Sequence, residues 1–271
     1  MQLTKGAIGN LINRYRAVLK KCHLLNVFGS LAVAGMLVMG GAAAAGAADY
    51  SLSADLNTQI VIFKNENSIL QLNGYNINTG IFKSIIVNGA LEINDSISSG
   101  KILSNDVCID IISSQGNTAE VTINSGTIEA NKKDNSGIET PTAILLWPNN
   151  GKAKVTINDG TIRSDVYAIT GNGAGQDGTE ININGGLIES TGGTAIYHPQ
   201  AGIVNISDGT IIGPCAIEMR SGDVNISGGT ITGNNDEFLT CNSGNGNTVY
   251  GAALAISQHT TQKDINVNIT G

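Results

Sequence analysis

The chain has 271 residues, among them 35 glycines, with 4% aromatic and 14% charged residues and a formal net charge of −7. So much glycine beside so few aromatics excludes an ordinary helical protein and points to many tight turns. An acidic chain without a basic cluster is repelled by nucleic acid and by anionic lipid, which excludes both as partners.

Residues 1–48 contain five bases (Lys5, Arg14, Arg16, Lys20 and Lys21) and no Asp or Glu. An apolar run follows from Val27 to Met39, then Gly40 to Ala48, almost all Ala and Gly, with Ala45-Gly46-Ala47 as a small-x-small cleavage site. Basic, apolar and small segments in that order predict an extended secretory signal peptide over 1–48, and so an exported protein. The apolar core falls short of the ~20 residues of a membrane span. Cys22 follows Lys20-Lys21 and is not placed as a lipoprotein cysteine. Residues 49–271 then form the folded domain; with 10 bases against 22 acids their net charge is −12.

Within that domain one phrase recurs. It reads Val121-Thr-Ile-Asn-Ser-Gly-Thr-Ile128, Val155-Thr-Ile-Asn-Asp-Gly-Thr-Ile162 and Ile181-Asn-Ile-Asn-Gly-Gly-Leu-Ile188. It continues as Val204-Asn-Ile-Ser-Asp-Gly-Thr-Ile211 and Val224-Asn-Ile-Ser-Gly-Gly-Thr-Ile231. Leu70-Gln-Leu-Asn-Gly-Tyr-Asn-Ile77 reads as a degenerate early copy, and Val267-Asn-Ile-Thr-Gly271 begins another. Val121 and Ile123 alternate with Thr122, so period two turns the first pair inward and Thr122 outward. Ile128 lies an odd five residues beyond Ile123, so both face inward only if the chain bends at Asn124-Ser125-Gly126. Glycine fills the third bend position in every full copy (Gly126, Gly160, Gly186, Gly209 and Gly229), as suits a positive φ. Asn or Ser stands two residues earlier, where such side chains bond nearby turn backbone.

A second phrase, Ala143-Ile144, Ala168-Ile169, Ala195-Ile196 and Ala216-Ile217, follows each of the first four full copies. The main phrase recurs at intervals of 34, 26, 23 and 20 residues, and the last interval, 43, fits two coils or one with a long loop. Two or three short strands per coil, stacked in parallel ~4.8 Å apart, make a solenoid: an all-β, right-handed parallel β-helix preceded by the signal peptide. A leucine-rich repeat lacks support, there being neither regular Leu spacing nor a helical segment per repeat. A β-sandwich does not repeat one phrase with the same bend residues. The last phrase is cut at Gly271, so the expectation is that the β-helix is truncated at its C-terminal end.

These residues carry a resemblance. Leu70–Ile77 followed by several V-x-I-[NS]-x-G-[TL]-I coils resembles the pectate-lyase-like right-handed β-helix superfamily, over roughly residues 55–271. The layout of the leader, with Asn13-Arg-Tyr-Arg-Ala-Val-Leu-Lys-Lys21 ahead of the apolar core, is similar to the extended leaders of bacterial autotransporters (type V secretion). The resemblance implies a passenger segment or adhesin at the outer-membrane surface, served by a secretion translocator if the gene is longer. It does not fix function, because the fold also hosts lyases, hydrolases and phage spikes.

Chemistry is sparse. Hydrolases of this fold work with clustered carboxylates. Asp159 and Asp208 share a bend position, but Gly185 separates them, at ~9.6 Å over two coils; they read as turn formers. Asp236-Glu237 reads as a polar loop. A lyase needs a Ca²⁺ site of acidic oxygens with a base beside it, and past residue 48 the only arginines are Arg163 and Arg220. His198 and His259 have no metal-ligand spacing, and Gly171-Asn-Gly-Ala-Gly175 lacks the Lys-Ser/Thr of a phosphate loop. No catalytic residue, metal or cofactor is expected. Cys108, in Val107-Cys108-Ile109, reads as a small buried hydrophobe. Cys215 and Cys241 are candidates for a disulfide that spacing alone does not establish.

One surface feature remains. Aligned on Ala-Ile, the residue two after Ala is Leu145, Thr170, Tyr197 and Glu218, and the residue four after is Trp147, Asn172, Pro199 and Arg220. With Ile inward both columns face outward. Trp147, Tyr197 and Arg220 are thus candidate ligand-binding residues, two flat faces ~9.6 Å apart and a planar fork suited to a neutral or mildly acidic glycan. The alternative is that Trp147 shields the loop 129–142. The sequence reads as an exported, non-catalytic, adhesin-like segment contacting glycans or neighbouring cells. The alternative is a polysaccharide lyase or glycoside hydrolase with missing or degenerate catalytic coils.

Overall fold

Alternating Val/Ile with polar residues in runs of three to seven, each ended by a bend, favours short strands over helices in the repeat region. The computed structural model describes residues 48–132, 140–171, 177–236, 240–243, 246–258 and 263–270. These residues belong to the unit 42–271, and all their regular structure is strand. The leader, Asn172, Glu237 and His259 lie outside the described residues.

The strands fall into three parallel sheets that wind as a right-handed parallel β-helix, the hand that parallel crossovers adopt. The first sheet runs Ala48–Ser51, Asn67–Gln71, Ala90–Asn94, Thr118–Ile123, Lys152–Ile157, Asp177–Ile183, Ala201–Ile206, Gly222–Ile226 and Ile265–Ile269. The second holds Ile77–Asn78, Lys101–Ser104, Thr127–Ala130, Thr161–Ser164, Leu187–Ser190, Thr210–Gly213 and Thr230–Gly233. The third holds Ile60–Ile62, Ile85–Val87, Val107–Ser113, Thr142–Pro148, Tyr167–Gly171, Thr194–His198, Cys215–Met219 and Leu254–Ile256. Each coil therefore has three strands. Val224 pairs with Val267, so the 43-residue interval is a single coil, enlarged by an antiparallel hairpin, Thr240–Ser243 with Gly246–Val249.

The core is a set of stacked apolar columns. In the first sheet Ile123, Ile157, Ile183, Ile206 and Ile226 are successive ladder partners, the first four buried and Ile226 packed against the core. In the second, Ile77, Ile102, Ile128, Ile162, Ile188, Ile211 and Ile231 form the matching column. The third contributes Ile109, Ile144, Ile169, Ile196 and Ile217. The early copy is out of register by two residues. Leu70 pairs with Ile93 and Ile93 with Ile123, so Leu70, not Leu72, occupies the isoleucine column. The true neighbouring copy is Leu91-Glu-Ile93, whose bend runs nine residues to Ile102 and conceals the phrase.

Between the first and second sheets the five bend glycines have φ of +98, +102, +80, +99 and +89° at Gly126, Gly160, Gly186, Gly209 and Gly229. Stacking adds a second constraint: a Cβ on Gly160 would sit 2.6 Å from the Gly126 carbonyl oxygen, with no room to retreat. The asparagines before the bend do not turn back on local backbone, as expected, but bond along the axis. Asn124 Nδ2 donates to Asn94 Oδ1 (3.0 Å), Asn158 to Asn124 (2.7 Å) and Asn184 to Asn158 (2.9 Å), and the Ser207 hydroxyl closes the ladder on Asn184 (3.1 Å). A second amide ladder runs on the outer face of the first sheet through Asn182, Asn205 and Asn225, at 2.8 and 2.9 Å. Asp159 and Asp208 accept from the backbone N–H of the glycines that follow them, as turn formers.

Candidate functional site

In the third sheet Ile144 and Leu146 point into the core, so Leu145 and Trp147 point out. Ladder pairing carries the Leu145 position through the sheet as Val61, Ile86, Asp110, Leu145, Thr170, Tyr197, Glu218 and Ala255. The first column of the expected stripe is thus a ladder column; in the second, Asn172 lies outside the described residues and Pro199 is buried. Trp147 is 38% exposed, whereas Tyr197 is half-buried and Arg220 fully buried.

Arg220 therefore does not present its guanidinium to solvent, which corrects the surface reading. It meets Glu218 (Nη2 to Oε1, 2.5 Å), with both side chains removed from water, and lies over the Tyr197 ring at 5.6 Å from its centre. Tyr197 in turn packs on Tyr167, ring centres 5.5 Å apart. Burial pushes the Tyr197 hydroxyl up to about 12, partly offset by Arg220. The hairpin strand Gly246–Val249 of the long coil lies near Cys215–Met219. Outward direction was legible in period two, but burial was not. Trp147 and Tyr197 are two coils apart as expected. They also sit two residues apart along the strand, so their backbones are separated by ~12 Å rather than ~9.6 Å.

Several chemistry-bearing residues escaped the sequence reading. Asp110 interrupts the apolar run Val107-Cys-Ile-Asp-Ile-Ile112 and is fully buried, ion-paired with Lys83, with its Oδ1 lacking a hydrogen-bond partner. Burial raises the pKa of Asp110 and of nearby Asp106, with Lys83 opposing in both. A lone acid inside an apolar strand was the available signal. Inside the third sheet His198 takes the core position next to Met219, where burial lowers its pKa to about 4; its Nδ1 lies 3.2 Å from the Ser221 carbonyl. Gln200 is also interior. Its amide donates to the Leu146 carbonyl (3.2 Å), across the space that a side chain on Gly171 would fill.

Asp110 and Glu218, the two buried carboxylates of this column, stand four coils apart, ~19 Å. A glycosidase pair needs roughly 5–10 Å. Among the described residues no group of three or more His, Cys, Asp or Glu is placed to hold a metal ion. Cys108 is a buried core residue, its Sγ donating to the Glu129 carbonyl at 3.2 Å. Cys215 is a buried free thiol, pushed up to about 12 by burial first and Glu218 second, so the bridge to Cys241 is not formed. Shallow grooves of about 310 and 390 Å³ lie along Lys152, Lys154, Glu180 and Asp223 and along the glycine bend, away from the third sheet. No family model, curated protein or solved structure matches this chain.

Proposed function

We propose that the chain is an exported β-helical rod of the cell surface, adhesin-like and non-catalytic, that contacts a neutral or mildly acidic glycan along the outer face of its third sheet. The observation that carries this reading is Trp147, the only tryptophan, exposed on the same sheet face as Tyr197, which lies ~12 Å away between backbones and packs on Tyr167. Aromatic faces suit sugar rings, and Arg220, paired with Glu218, lies over the Tyr197 ring. The order of basic, apolar and small segments in residues 1–48 supports export. The charge of −12 disfavours strongly acidic polymers. Similarity of layout to autotransporter passengers makes a secretion translocator the expected partner; similarity to pectate-lyase-like proteins supplies the competing enzymatic reading.

A glycan array on the wild type, Trp147→Ala and Tyr197→Ala tests the proposal. Binding by the wild type that is lost in both variants is the expected result, and binding that survives both places the contact elsewhere. Incubation with polygalacturonate and related polymers, with and without Ca²⁺, addresses the enzymatic reading: turnover above background reverses the assignment.

A further inference from the structure

Lys83 stands just ahead of the third-sheet strand Ile85–Val87, and Asp110 lies in the middle of Val107–Ser113, its neighbour in the next coil. The Asp110 side chain faces outward between Ile86 and Leu145, its two ladder partners, and is fully buried. One carboxylate oxygen takes the Lys83 ammonium, while the other, Oδ1, has no hydrogen-bond partner. The Lys83 side chain is 31% exposed, so the cost falls on Asp110: a fully buried carboxyl with one oxygen unsatisfied is a costly arrangement. A second carboxyl, Asp106 at the entry of the same strand, lies within electrostatic reach of both groups.

We propose that Lys83 and Asp110 are joined by an intramolecular isopeptide bond, with Asp106 as the proton carrier. Asp106 accepts a proton from the Lys83 ammonium, and the free amine attacks Cγ of the neutral Asp110 acid. The C–N bond forms, the C–OH bond breaks, and the hydroxyl leaves as water with the proton returned by Asp106, which then takes the second proton shed by the amide nitrogen and ends as the neutral acid. The products are one amide and one water, with no oxidant or reductant. Burial holds Asp110 toward its neutral form, the form that reacts. Two features drive the reaction forward. The reacting groups are held in contact by adjacent coils, and the Asp110 carboxyl, though not the Lys83 side chain, is closed off from bulk water. The bond staples two successive coils of a protein that is proposed to work outside the cell.

Tryptic mapping of the folded, full-length protein tests this directly. An acylated Lys83 is not cleaved, so residues 65–101 should appear linked to 102–132, one water lighter than their sum, with free 84–101 absent. Recovery of free 65–83 and 84–101 from folded wild type overturns the proposal and leaves a plain ion pair. Lys83→Arg keeps the charge but should yield only unlinked peptides; a linked 102–132 in that variant would also overturn the assignment. Asp106→Asn, followed over time after refolding, should link at least tenfold more slowly, and linking at the wild-type rate removes Asp106 from the step.

Discussion

Truncating Ile183 to alanine should destabilise the β-helix far more than truncating Thr122. Ile183 is fully buried and stacked between Ile157 and Ile206, its ladder partners on either side. Ile→Ala in a core costs roughly 2–5 kcal/mol, more where the surroundings cannot collapse into the cavity. Here they cannot: the backbones on both sides are held ~4.8 Å apart by a continuous hydrogen-bond ladder. A value near 4 kcal/mol follows. Thr122 stands at an outward position of the same sheet, where truncation changes stability by about 0.5 kcal/mol or less. With a urea slope of ~3 kcal/mol/M the Ile183→Ala midpoint should fall by about 1.3 M and the Thr122→Ala midpoint by less than 0.2 M. Trp147, as the only tryptophan, reports unfolding by fluorescence, with far-UV circular dichroism as the second probe. Ile183→Asp, an unpaired charge among apolar neighbours, should be worse than alanine. Equal midpoints for Ile183→Ala and Thr122→Ala would refute the inward assignment and the rigid-ladder argument with it.

Acidification gives a second test. His198 has a folded pKa of about 4 against 6.5 unfolded, so its neutral form is the one the fold accepts. That stability is fully present above pH 6.5 and is lost as pH falls from 6.5 through 4, by about 3 kcal/mol in all. Replacing it with methionine, the residue of the next coil in that column, should flatten the urea midpoint between pH 7 and pH 4 relative to wild type; parallel profiles would remove His198 as the cause. A third test separates two costs of a bend glycine. Gly160→Ala meets both a φ of +102° and a Cβ 2.6 Å from the Gly126 carbonyl, whereas Gly116→Ala meets a φ of +70° in open space. The first should cost at least ~2 kcal/mol and the second ~1 kcal/mol, the price of positive φ alone; similar thermal midpoints would mean that coil stacking does not select the glycine.

The fold was legible because the five full copies share one bend length, so that period two and the glycine recur in step. Where the bend length varies the signal fails. Ile93 and Ile102 hold the positions of Ile123 and Ile128, but are separated by nine residues instead of five. The bend asparagines read as local turn formers because their real partners lie 26–34 residues away, a pairing that only the coil register reveals. At the site, alternation gave the direction of Arg220 but not its exposure. Exposure depends on packing by residues distant in sequence: Arg220, paired with Glu218, meets the ring of Tyr197 from the preceding coil. Asp110 was overlooked for a related reason: its neighbours Ile86 and Leu145 belong to other coils.

The outer charges show how such a repetitive chain keeps its coils in order. Coil backbones are nearly interchangeable, so apolar columns alone do not specify which coil stacks on which. Two outward columns carry the same pattern across the same three coils: Glu120, Lys154 and Glu180 on the first sheet, and Glu129, Arg163 and Glu189 on the second. Lys154 meets Glu180 at 3.2 Å and Arg163 meets Glu189 at 2.6 Å. Each exposed pair adds little stability. Exchanging the middle coil with either neighbour, however, would set acid beside acid on two faces at once, and like charges directly opposite are unfavourable. The first and second sheets therefore spend their outer side chains on register, through these charges and the two amide ladders. Among the described residues the third sheet carries neither an alternating charge column nor an amide ladder; its outer face holds Trp147, the tyrosine pair and the Lys83–Asp110 and Glu218–Arg220 contacts.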